Sequence, residues 1–113
     1  AAPENLGAPI NTPGREFDPF VSPDETYLVF ASERPGGHGS TDLYVSARNA
    51  DGTWTTPVNL GPRVNSKFED YTPMVSPDGR HLFFTSGTPG SDDVYWIAAS
   101  VIRQAIAAGR GGL

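Results

Sequence analysis

A duplication limits what this chain can fold into more than any other feature. Ser22-Pro23-Asp24-Glu25-Thr26-Tyr27-Leu28-Val29-Phe30-Ala31-Ser32 returns 54 positions later as Ser76-Pro77-Asp78-Gly79-Arg80-His81-Leu82-Phe83-Phe84-Thr85-Ser86. The same offset carries Asn5-Leu6-Gly7 onto Asn59-Leu60-Gly61, Ile10-Asn11 onto Val64-Asn65, and Pro19 onto Pro73. After Pro35-Gly36, matched by Pro89-Gly90, the second copy is shorter by three residues, so Asp42-Leu43-Tyr44-Val45 meets Asp93-Val94-Tyr95-Trp96 at an offset of 51. A unit of this size cannot bury its own apolar face. It must stack on a neighbour.

Within each copy the elements are short and punctuated by turn chemistry. Phe20-Val21-Ser22 and Met74-Val75-Ser76 read as brief strands ended by Pro-Asp, and Asp78-Gly79 is a tight-turn signal. Tyr27 to Ser32 and His81 to Ser86 follow as nearly continuous apolar strands, the pattern of strands covered on both faces. Arg34 to Thr41 is a Gly-rich loop, Asp42 to Ala47 a third strand, and Thr53 to Leu60 a fourth, with Pro57 suiting an edge. The second copy stops short of a fourth strand. Val101, Ile102, Ala105 and Ile106 are spaced instead for a short helix capped by Ser100 and stopped by Gly109. With 13 Gly and 11 Pro among 113 residues and 37% hydrophobic content, the class is all-β.

The charge and the missing cysteine exclude several functions. Thirteen acidic against eight basic residues give a net charge of −5, which disfavours a phosphate backbone or an anionic membrane as partner. No cysteine means no disulfide, thiolate zinc site or cysteine nucleophile. No run reaches the roughly 18 apolar residues of a membrane helix. The first residues lack the pattern of a signal peptide, although a mature exported start would read the same.

Asp24 and Asp78 follow Ser-Pro and read as turn caps that bond the backbone two residues on. Ser22, Pro23, Asp24, Ser76, Pro77, Asp78 and Gly79 thus form a structural motif, joined by Asp42 and Asp93 at the third strands. Glu16 and Asp18, Glu69 and Asp70, Asp42, and the Asp92-Asp93 pair gather carboxylates at strand starts, where a structural divalent cation is the competing reading. His38 lies in the Gly-rich loop and His81 in a strand, and neither has a nucleophile beside it in sequence. No catalytic residue and no cofactor is assigned.

Pro19-x-x-Ser22-Pro23-Asp24 and Pro73-x-x-Ser76-Pro77-Asp78-Gly79, each leading into an apolar-Phe-x-Ser strand, resemble the WD40-like PD40 repeats of TolB-type β-propellers. Arg34-Pro35-Gly36-Gly37 leading into Asp42-Leu43-Tyr44 adds to the likeness. The resemblance implies four-stranded antiparallel blades around a channel. It divides the chain into an outer strand of a preceding or partner blade (1–12), a first blade (13–62), a second blade lacking its fourth strand (63–98), and a C-terminal helix and tail (99–113). Glu16, Phe17, Asp18, Glu69, Asp70, Tyr71 and His38 would then lie at a channel mouth or rim. Glu25 in place of the turn glycine, Gly87-Thr88 in place of a charged Arg context, and a count of two repeats depart from the pattern.

Two blades do not close a ring. The chain is a fragment of a longer propeller, or Glu4 to Ile10 of one protomer adds the fourth strand to the next, three chains giving six blades, or a two-bladed monomer stands on its own. The resemblance implies a non-catalytic module for protein or ligand recognition in the periplasm or outside the cell. The alternative is the propeller part of a hydrolase or lyase acting on peptides or polysaccharides.

Overall fold

The computed structural model describes residues 2–110, which form two antiparallel sheets and one short helix. The first sheet holds β1 (Glu16–Val21), β2 (Tyr27–Ser32), β3 (Asp42–Ala47) and β4 (Val58–Asn59), each beside the next in sequence. The second holds β5 (Glu69–Val75), β6 (His81–Thr88) and β7 (Ser91–Ala98) in the same manner, and α1 (Ser100–Gly109) follows. No helix among the described residues is long and apolar enough to cross a membrane.

Side-chain alternation explains how the sheets stack. In β2 and β3, Val29, Ala31, Leu43 and Val45 point one way and Leu28, Phe30 and Tyr44 the other. The first set meets Val75, Leu82 and Phe84 of the second sheet, with Leu60, Val64, Val101 and Ile102 closing the core. Ile10 and Trp54 cover the second set. Thus the face of the second sheet that carries Leu82 and Phe84 packs on the opposite face of the first. Its own remaining face carries Met74, Phe83, Val94 and Trp96, which are 51%, 37%, 74% and 63% exposed. The expectation that both apolar strands are covered on both faces holds for β2 but not for β6 within one chain.

Several expected boundaries shift for identifiable reasons. β1 and β5 begin at Glu16 and Glu69 and reach Val21 and Val75, because each runs through a bulge. There Asp18 (φ 52°) and Thr72 (φ 50°) take left-handed backbone ahead of Pro19 and Pro73, which cannot donate to a ladder. The fourth strand shrinks from the expected Thr53–Leu60 to Val58–Asn59. Before Pro57, the Thr55 N–H still donates to the Ala47 carbonyl at 2.9 Å, but the return bond goes to its side chain, whose hydroxyl accepts the Ala47 N–H at 2.9 Å.

The helix forms where expected but is capped differently. Ala99 is its N-cap, in helical conformation, and no side chain bonds the first turn, so Ser100 is not the cap. Gly109 is the last helical residue. It allows close approach, since a Cβ there would clash with Val58 Cγ2. Residues 2–12, expected as an outer strand, are irregular in the single chain, with a turn over residues 8–10.

Candidate functional site

The Ser-Pro-Asp turns are structural in both copies. Ser22 Oγ accepts the N–H groups of Thr26 (3.0 Å) and Tyr27 (3.1 Å), while its hydroxyl donates to Asp24 Oδ1 at 2.7 Å. Ser76 Oγ likewise accepts the His81 N–H at 3.1 Å and donates to Asp78 at 2.6 Å. Hydrogen bonds from Ser22 and Thr26 hold the Asp24 carboxyl below its usual value, and bonds from Ser76 and the Arg80 N–H do the same for Asp78. Pro23 and Pro77 are exposed between them.

Asp42 is buried and also structural. It accepts the His38 and Gly39 N–H groups and the Asn59 side-chain amide, binding the Gly-rich loop to β4. Gly37 and Gly39 are needed there, because a Cβ on the first would strike the Asp42 carboxylate and on the second the Phe68 carbonyl. Asp93, its counterpart, is exposed and bonded only to Ser91 Oγ.

The residues expected at a mouth divide into two groups. Phe17, Glu69 and Tyr71 line a shallow cleft of about 190 Å³ with Arg15, Glu33 and Thr41. Asp18 lies beside it and accepts the Thr72 N–H at 3.2 Å, joining the two bulges. Asp92 pushes the Tyr71 phenol above its ordinary value, helped by burial and by Glu69 and Asp18. Glu16 and Asp70 lie away from the cleft lining, and His38 is exposed on its own loop. Among the described residues no three His, Asp or Glu side chains converge closely enough to hold a metal ion.

Glu16 belongs to a cluster that sequence reasoning missed. Its carboxylate accepts Thr12 N–H (3.0 Å), Thr12 Oγ1 (2.6 Å) and Ser32 Oγ (2.9 Å), with Arg34 at 3.8 Å. Burial pushes the Glu16 carboxyl up, but these bonds and the Arg34 charge outweigh it and hold the group below its usual value. Arg34 Nε donates to Ser32 Oγ at 2.9 Å, and its terminal nitrogens donate to the Pro9 and Ile10 carbonyls. The guanidinium lies 5.2 Å and 5.0 Å from the ring centres of Phe30 and Tyr44. The replacement of Arg34 by Thr88 in the second copy was the available signal.

The linker between the sheets supplies a second missed device. Asn65 is buried, and its side-chain amide accepts the Leu43 N–H (2.8 Å) and donates to the Leu43 carbonyl (3.0 Å), acting as a missing strand partner. Asn59 fixes this turn by accepting from Gly61 N–H and Asn65 Nδ2, both at 2.8 Å. Asn5, Gly7 and Asn11 repeat the arrangement, with Asn5 Oδ1 accepting from Gly7 N–H at 2.7 Å and Asn11 Nδ2 at 2.8 Å. A recess of about 410 Å³ beside that turn is lined by Leu6, Ile10, Phe17, Val21, Leu28 and Phe30, together with polar residues.

The molecule therefore presents an apolar recess on the first sheet and an exposed apolar face and open β7 edge on the second. No family model matches the chain, and no curated protein matches it.

Proposed function

We propose that this chain is a two-blade segment of a β-propeller acting as a non-catalytic binding or scaffolding module, with head-to-tail contact between copies as its basic interaction. One observation carries this reading: the exposed face of Met74, Phe83, Val94 and Trp96 is the repeat counterpart of Phe20, Val29, Leu43 and Val45, which the first sheet packs against the second. The fold thus contains a worked example of what covers such a face. The complementary surface, the face of Val21, Leu28 and Phe30, is partly open on the same chain.

The repeat also specifies the contacts. Leu60 is buried and its N–H donates to the Leu43 carbonyl at 3.1 Å, whereas its counterpart Leu6 is 50% exposed. In the assembly, Leu6 of one copy pairs with Val94 of the next and Asn11 closes over it as Asn65 closes over Leu43. The Glu4–Asn5 segment extends β7 as Val58–Asn59 extends β3. This contact is heterologous, and three copies close six blades. The Phe17, Glu69 and Tyr71 cleft is the candidate recognition rim, and an extracytoplasmic place accompanies this reading.

Leu6→Asp tests it with little risk to folding, because Leu6 is half exposed in the single chain. The variant is expected to sediment as one chain under conditions where the parent associates. Equal association of variant and parent would reject the contact.

A further inference from the structure

Superposing the repeats in sequence shows one buried cluster that has lost its cation. Ser32, the Pro9 and Ile10 carbonyls, Phe30 and Tyr44 hold Arg34 in the first copy, and they become Ser86, the Arg63 and Val64 carbonyls, Phe84 and Tyr95 in the second. Arg34 itself becomes Thr88, and Glu16 becomes Asp70. The aromatic pair is retained: the Phe84 and Tyr95 rings lie 6.1 Å apart at 22°, against 6.3 Å and 25° for Phe30 and Tyr44. Beside them is a cavity of about 410 Å³, lined in part by Val64, Phe84, Ser86, Thr88 and Tyr95.

Asp70 stands behind this wall and is wholly buried. Its Oδ2 accepts Ser66 N–H (2.7 Å) and Ser66 Oγ (3.0 Å), whereas Oδ1 has no hydrogen-bond partner among the described residues. Ser66 lines the cavity, and Ser86, which also lines it, is the cross-strand partner of Asp70. A buried carboxylate oxygen without a donor is costly and calls for a positive or donating group nearby.

We propose that this cavity binds a guanidinium group, borne by a peptide arginine or by a small guanidino compound. A planar guanidinium suits two stacked rings and spreads its donors over carbonyls and a hydroxyl, which a compact ammonium does not. By the first copy's example, it donates to Ser86 Oγ and the Arg63 and Val64 carbonyls, with the buried Asp70 carboxylate as the negative charge behind Ser86. Arg63 and Lys67 at the mouth are the internal rivals. Both are exposed, neither pairs with Asp70, and Lys67 lies over Phe68 at 5.4 Å. The site lies within one chain, so it can be tested whether or not copies associate.

The test is thermal unfolding with N-acetyl-arginine amide, methylguanidinium or N-acetyl-lysine amide. A saturable rise in Tm with a guanidino probe and none with the lysine amide is expected. A response to both guanidino probes assigns the head group alone, and a response to the arginine amide only assigns a peptide arginine. Thr88→Arg should supply the group in cis, raise Tm by about 4 °C and abolish the ligand-dependent rise. Asp70→Asn should weaken probe binding roughly tenfold. The proposal fails if neither guanidino probe gives a saturable rise, if the lysine amide matches them, or if Arg63→Ala lowers Tm in the free protein while Thr88→Arg does not raise it.

Discussion

Glu25 and Gly79 hold the same place in the two Ser-Pro-Asp turns, with φ of 60° and 75°. Only glycine takes this backbone freely, and the one return Glu25 receives is an exposed pair with Arg48 at 3.7 Å. Glu25→Gly is therefore expected to raise unfolding free energy by about 0.5 kcal/mol, and Gly79→Ala to lower it by about 1 kcal/mol, both read by denaturant titration. Glu16 gives a pH prediction. Its folded pKa lies below the ordinary 4.5, so its contribution is complete above that value and is lost as pH falls through the lowered folded value. Below about pH 4.5 the Tm of the parent should fall more steeply than that of Glu16→Gln. Parallel curves would show that the cluster around Glu16 does not couple to folding.

Among the elements, β3 depends on side chains as much as on neighbouring strands. Asn65→Ala would strip the buried Leu43 N–H of its partner and leave the Leu43 carbonyl to the Leu60 N–H, and a loss of about 2 kcal/mol is expected in chemical unfolding. Gly39→Ala should cost a similar amount, about 2 kcal/mol, because the Phe68 backbone cannot yield as a side chain could. The duplication made β2, β3 and β6 legible and apolar spacing did the same for α1, since turn residues and apolar runs report local preference directly. The short β4 was not legible, because Thr55 and Asn65 supply half of the pairing with β3 from their side chains, which no periodicity records. The bulges at Asp18 and Thr72 were hidden for a related reason: neither residue is a glycine, so nothing in the sequence announces positive φ. Of the cleft lining, Phe17, Glu69 and Tyr71 are residues that the sequence reading set at a mouth or rim. Arg34 was read as loop context, and its partners Glu16, Ser32, Pro9 and Ile10 are scattered over 24 positions that only the fold brings together.

At the scale of the whole molecule, the two sheets bury one repeat interface and leave its two halves open at opposite ends. Trp96 and Val94, exposed in a single chain, have counterparts Val45 and Leu43 that are fully buried. Trp96→Asp should accordingly leave the unfolding of an isolated chain little changed while preventing association. In the proposed assembly these faces meet in head-to-tail order and close a ring. Light scattering coupled to size exclusion decides the matter: the mass of three 12.0 kDa chains is expected, and a well-folded species with the mass of one chain would rule the ring out.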